Sequence, residues 1–192
     1  MPEPLTLDAA TTALVLIDLQ QGIVARDTMP HAAANVVANA VRLADAFRAA
    51  GALVVLVRVS YSDDGRDMLR PPVDNPPPPM PRPPGWDRVV PEVGPRDGDI
   101  VVTKRNWGAF HGTDLELQLR RRGIRTIVLG GIATNFGVES TARGAFERAY
   151  AQVIVEDATS ALSAGAHEFA LTTIFPRFAR IRSTDEVLAA LR

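Results

Sequence analysis

Short, unbroken apolar runs recur along this 192-residue chain, each separated from the next by a stretch of helical spacing. Residues 13–17 read ALVLI and stop at Asp18, and residues 53–57 read LVVLV. Residues 100–103 make a shorter run, 126–129 read TIVL, and 152–155 continue the series. Runs without polar alternation suit strands covered on both faces, as in a parallel sheet. Between them, Val36, Val37, Ala40, Leu43, Ala44 and Phe47 form one helical stripe within residues 32–50, and Gly51 is placed to stop it. Residues 113–122 read as a second helix, with Thr113 and Glu116 as a capping box and Gly123 at its end. A third helix is expected over 135–150, with Asn135 as N-cap and Glu139 paired to Arg143. A turn is expected at Glu156-Asp157, a helix near 165–175, a short strand at 178–181, and a last helix over 183–191 capped by Ser183 with Glu186. This alternation predicts an α/β fold: a three-layer, doubly wound sheet, mainly parallel, of five or six strands with helices on both faces.

The length suits one domain over residues 1–192. A formal net charge of -1 offers no field to gather nucleic acid or an anionic membrane. The one dense basic cluster, Arg120, Arg121 and Arg122, reads as a solvated helix end. No apolar run approaches the roughly 18 residues that span a bilayer, and the start MPEPLTLDAA lacks a signal peptide's pattern, so the cytoplasm is the expected compartment. The chain has no cysteine, which excludes disulfides, thiolate metal sites and cysteine nucleophiles together. In residues 71–84, nine of fourteen are proline, too many to join a sheet. That segment reads as a stiff loop wrapping the domain or a partner subunit, with a PxxP ligand as the other reading.

Ligands of open α/β sheets gather at the carboxyl ends of the strands. Three features fall there: Asp18 after ALVLI, Lys104 after IVVT, and the turn from Gly130-Gly131 through Asn135 after TIVL. Each also has a plainer reading, as a loop cap, a surface cation and a tight-packing turn. Together they place a carboxylate, an ammonium and helix-start amides around one crevice. His31, His111 and His167 lack metal-ligand spacing, and no phosphate-binding glycine motif occurs. Neither a metal nor a cofactor is expected.

The blocks TALVLIDLQ, KRNWGAFHGTDLELQLRRRGI, TIVLGGIATNFGVESTARGAFERAY and VIVEDATSA together resemble the isochorismatase-like hydrolases, a branch of the cysteine hydrolase superfamily. The resemblance runs nearly end to end. It implies that Asp18 and Lys104 are the catalytic aspartate and lysine. It also implies a cis peptide between Ile132 and Ala133, which would aim the amides of Ala133 and Gly137 at the substrate as an oxyanion hole. Cysteine-dependent members carry their nucleophile at the position of Gly137, so thioester chemistry is closed to this chain. The segment RVSYSDDGRD has no histidine to hold the metal that nicotinamidases bind there. True isochorismatases also lack the cysteine, and hydrolyse a vinyl ether through an acid and a water.

The expected function is therefore hydrolysis of a small molecule without a covalent intermediate. Asp18 would serve as general acid or base with Lys104 in support, and Trp107, Phe110, Asn135 and Phe136 as pocket wall. The alternative is a non-catalytic binding or interaction protein on a decayed hydrolase scaffold. Family members assemble as dimers or larger even-numbered oligomers, so a homo-oligomer is expected.

Overall fold

Every residue of β1 (Thr12–Ile17) is buried, because strands pair on both its edges and helices cover both its faces. A computed structural model describes residues 4–76 and 81–192, so part of the proline-rich segment, residues 77–80, lies outside the described residues. After β1 come α1 (Gln21–Val24), α2 (Ala33–Ala49), β2 (Leu53–Val59), β3 (Ile100–Lys104), α3 (Leu115–Arg121) and β4 (Thr126–Ile132). The chain closes with α4 (Glu139–Phe146), β5 (Ala151–Ser160), α5 (Ala164–Phe169), β6 (Arg180–Arg182) and α6 (Thr184–Ala190).

The six strands form one parallel sheet in the order β3-β2-β1-β4-β5-β6. The chain winds outward from β1 through β2 to β3, then returns to the other side of β1 for β4. The order therefore reverses between β1 and β4, and a crevice opens there beyond the strand ends. This doubly wound, three-layer arrangement is the fold class the apolar runs predict.

The pleat of β1 divides the core in two. Leu14 and Leu16 join Val36, Ala40, Leu43 and Phe47 of α2 and Val187 of α6 on one face. Ala13, Val15 and Ile17 join Leu115 and Leu119 of α3, Ala142 and Ala145 of α4, and Phe175 on the other. Burying each large side chain contributes about 1.5–3 kcal/mol. The α2 stripe stops where expected. Gly51 takes φ +71, its N–H donates to Arg48 O (3.0 Å), and the Ala52 N–H donates to Phe47 O (2.9 Å). The α6 capping box also forms, with the Ser183 N–H on Glu186 Oε2 (2.8 Å) and the Glu186 N–H on Ser183 Oγ (3.3 Å).

Other local expectations need correction. Thr113 and Glu116 do not close a capping box, since α3 begins at Leu115 with Asp114 as N-cap. Glu116 is drawn instead to the Arg148 guanidinium at 2.8 Å. Asn135 is not an N-cap either. Ala133 holds that place, Asn135 lies inside a π turn (Thr134–Val138), and α4 ends at Phe146. The strand β5 runs on past Glu156 and Asp157, with a register slip that sets Ile154 opposite Leu129 but Thr159 opposite Gly131. Asp157 sits in that irregular stretch and accepts from the Thr184 N–H (2.7 Å) and Oγ1 (2.8 Å) at the start of α6. Among the described residues, no helix is long and apolar enough to cross a membrane.

Candidate active site

Where β1 ends, the backbone turns left-handed at Asp18 (φ +52), and its N–H donates to Val57 O at 2.8 Å. Aspartate tolerates this conformation better than most residues. It takes the carboxylate out of the strand direction at the point where the sheet order reverses. From the end of β3, on the far side of β2, Lys104 reaches back to it: Nζ donates to Asp18 Oδ2 at 2.8 Å and to Asn106 O at 3.1 Å. The lysine is only 2% exposed.

Asp18 Oδ1 is buried and has no hydrogen-bond partner. One carboxylate oxygen is thus fixed and the other is left without a hydrogen bond. Burial pushes the Asp18 carboxyl above its ordinary range, while the charge and hydrogen bond of Lys104 pull it down. Burial is the largest influence and outweighs both Lys104 and the backbone at Val59.

The third feature arrives from β4. Gly131 takes φ +121, and a side chain there would run into the backbone of Ile17. Glycine at this position therefore lets the end of β4 lie directly on β1. The peptide that follows, Ile132–Ala133, is cis. The chain then enters the π turn, where Gly137 is buried against the carboxylate. A Cβ on Gly137 would meet Ile17 Cγ2 at 2.9 Å, Asp18 Oδ2 at 3.1 Å and Trp107 O at 3.6 Å. The Thr141 hydroxyl donates to Gly137 O (2.7 Å) and accepts from the Ala109 N–H (3.0 Å), tying the loop after β3 to this turn.

Asp18, Lys104 and Gly137 thus converge, as their strand ends suggest. The expected pocket wall is only partly assembled. Trp107, 64% exposed, and Phe136 meet edge to face at 4.9 Å beside Gly137. Asn135 lies in the same turn with its Oδ1 buried and unpartnered. Phe110 is not with them. It is buried in the core, stacked on Tyr150 (5.9 Å), under the Arg148 guanidinium (4.9 Å), and packed against Gly144, two helical turns beyond Gly137. His111 is exposed.

Two polar groups near the site carry no signal in the sequence. Tyr61, just past β2, stacks on Trp86 with centroids 6.1 Å apart, and Trp86 O accepts from the Gly22 N–H at 2.8 Å. Burial, and then the Asp18 charge, push the Tyr61 hydroxyl above its ordinary value. The second group is His167, whose Nδ1 lies 2.8 Å from Thr134 Oγ1 in the π turn, with the His31 ring edge-on at 5.6 Å. Burial, and then His31, push His167 down to about 4. Among the described residues, no cluster of three or more His, Asp or Glu could hold a metal ion.

Comparison with known proteins agrees with this fold. An isochorismatase domain matches residues 12–186. The isochorismatase family protein YecD of Escherichia coli O157:H7 is 54% identical, over 97% of this chain and 100% of its own. A ureidoacrylate amidohydrolase, RutB of Variovorax paradoxus (strain S110), is 35% identical over 86% of this chain and 75% of its own. The solved structure of an isochorismatase family protein from Burkholderia thailandensis superposes with a TM-score of 0.92 at 49% identity, covering 98% of each chain.

Proposed function

The chain belongs to the isochorismatase family of hydrolases, and on that premise we propose that it hydrolyses a small molecule without a covalent enzyme intermediate, with Asp18 as the proton donor and acceptor. The observation that carries this reading is the asymmetry of Asp18. Lys104 holds Oδ2, the oxygen that faces Gly137, while Oδ1 is buried and unpartnered. A carboxyl group kept above its ordinary range is protonated over more of the pH scale, as a general acid requires.

The model reaction is vinyl ether hydrolysis. Asp18 gives its proton to the terminal vinyl carbon, and the positive charge that develops is shared between the ether oxygen and the carbon bearing it. Water adds to that carbon and returns a proton to Asp18. The hemiketal then collapses to an alcohol and a ketone, so one water is consumed and the enzyme is unchanged. Lys104 steadies the carboxylate in the interval when it is ionised. The backbone amides of Ala133 and Gly137 serve the leaving oxygen as it gains negative charge in the collapse of the hemiketal, and Trp107, Asn135 and Phe136 border the substrate. Thiol chemistry is closed because the chain has no cysteine, which separates this reading from a cysteine-dependent amidase. No metal or cofactor takes part in this scheme. We also take the chain to act in the cytoplasm as a homo-oligomer of even number.

The direct test is ketone release from isochorismate and from a panel of simpler vinyl ethers. The parent is expected to turn over at least one of them, and Asp18→Asn to lose about 10²–10⁴-fold in kcat with binding retained. No turnover of any vinyl ether or amide by the parent would favour a non-catalytic binding role on this scaffold.

A further inference from the structure

The strand β1 stops pairing before its neighbour does. The last ladder pair sets Ile17 opposite Val57, and Asp18 then turns away in the left-handed region. The Asp18 carbonyl accepts from the Gln20 N–H at 2.8 Å, which closes a three-residue turn. Meanwhile β2 continues to Val59, which lies opposite Lys104 on its other edge. Val57 O still accepts from the Asp18 N–H. Two residues on, the backbone groups of Val59 point the same way, toward the place that β1 has vacated.

The side chain of Gln20 fills that place. Its Oε1 accepts from the Val59 N–H at 2.8 Å, and its Nε2 donates to Val59 O at 3.0 Å. One primary amide thus stands in for a strand residue, and it is fully buried. The Gln20 backbone bridges to Val89 on the other side. The Val59 N–H is also close enough to Asp18 to lower its carboxyl, yet Asp18 Oδ1 is buried without a hydrogen bond. A peptide N–H has one hydrogen to give, and a carboxylate is a stronger acceptor than an amide oxygen. Without Gln20 that hydrogen would go to the carboxylate.

We infer that Gln20 is a positioning residue for the acid: by holding the Val59 N–H, it keeps one oxygen of Asp18 bare. This inference rests on the hydrolytic reading above and deepens it. A carboxylate that accepts a further N–H gives up its proton more readily, and is ionised over more of the pH scale. Among the described residues, the titratable groups that face Asp18 are Lys104 from β3 and Tyr61 from the segment after β2. The π turn presents Gly137 and has no ionisable side chain. Gln20 is neutral, so replacing it with another neutral side chain leaves these charges in place.

The test follows Asp18 itself. Its ¹³Cγ signal, assigned with Asp18→Asn, is titrated in the parent and in Gln20→Met, which keeps the length of the side chain and removes both hydrogen bonds. The midpoint in Gln20→Met is expected about one pH unit lower. The falling limb of kcat/KM should move down with it, a loss of about tenfold at a pH above both midpoints, while the acid plateau stays near the parent's. A purely structural role would lower the plateau and leave the midpoint in place. In the parent, a scalar coupling across the hydrogen bond should join Val59 ¹⁵N to Gln20 ¹³Cδ and not to Asp18 ¹³Cγ, a measurement that stands even where the variant does not fold. A midpoint that stays or rises in Gln20→Met, or a parent coupling to Asp18 or to neither group, overturns the inference. A lowered midpoint with no turnover of any vinyl ether or amide by the parent removes the hydrolytic reading alone. Turnover with an unmoved midpoint removes the role of Gln20 alone.

Discussion

A Cβ on Gly137 would meet Ile17 Cγ2 at 2.9 Å and Asp18 Oδ2 at 3.1 Å. Restoring a cysteine there thus does more than supply a thiol, since it pushes on the carboxylate that Lys104 holds. Gly137→Cys is expected to lose about 1–3 kcal/mol of stability, as overpacked cores do, and to gain no amidase activity. Urea unfolding measures the first. Because the chain has no other cysteine, a thiol reagent reports the accessibility of the new group without background. The Asp18–Lys104 pair makes a second prediction. An essential acid must be protonated, so kcat/KM falls as pH rises through the raised Asp18 value. Lys104→Met removes the one cation that pulls this value down, so the falling limb of the pH–rate profile should move to higher pH. A limb that stays in place, or moves down, contradicts the assignment. Asp18 and Lys104 were legible because a polar residue closing an apolar strand run stands out against it. Phe110 was not, because a loop has no periodicity to tell which way an aromatic ring turns, and here it turns into the core.

Elements reach the site through contacts that no local pattern announces. His31 and His167 meet only because the loop before α2 and the start of α5 pack together. Their spacing in the chain is uninformative. The pairing of His167 with Thr134 ties α5 to the π turn that presents Gly137. It also makes stability depend on pH. The folded protein keeps His167 neutral down to about pH 4, whereas an unfolded histidine takes its proton near 6.5. Between those values the unfolded chain binds more protons, so this contribution is full above about pH 6.5 and is lost as the pH falls toward 4, by roughly 2–3 kcal/mol. His167→Gln, which retains a hydrogen-bonding group without a titration in this range, should flatten that part of the profile in urea unfolding at pH 7 and pH 4.5. An unchanged slope would show that His167 is not the group responsible. The capping boxes teach the same lesson in miniature. Ser183 and Glu186 close theirs, but Thr113 and Glu116 do not, because Arg148, far along the chain, competes for the second glutamate. Tyr61 and Trp86 fall in the long segment between β2 and β3, where neither strand nor helix spacing marks a residue.

At the scale of the whole molecule, the fold was the most legible property. Strands buried on both faces must read as apolar runs, and helices between them must show a stripe. The reversal of strand order follows from pairing, which composition does not specify. Large apolar side chains remain on the surface, including Trp107, Phe136, Phe146 and Phe169. Two of them border the crevice, consistent with our proposal of an even-numbered homo-oligomer. Light scattering is expected to give an even multiple of 20.7 kDa, and the mass of one chain would refute it.

The central place of β1 has a consequence for the chain's birth. It leaves the ribosome before the strands it pairs with, so one edge must wait for β2 and the other for β4, which ends at Ile132. At synthesis rates of about 5–20 residues per second, the run ALVLI spends roughly 6–23 seconds with an edge unpaired. Unpaired apolar strands recruit other chains. The segment that anchors the finished sheet is therefore the one most in need of protection during translation, and a chaperone that binds extended apolar peptides should engage nascent chains halted before β4 and release those halted after it.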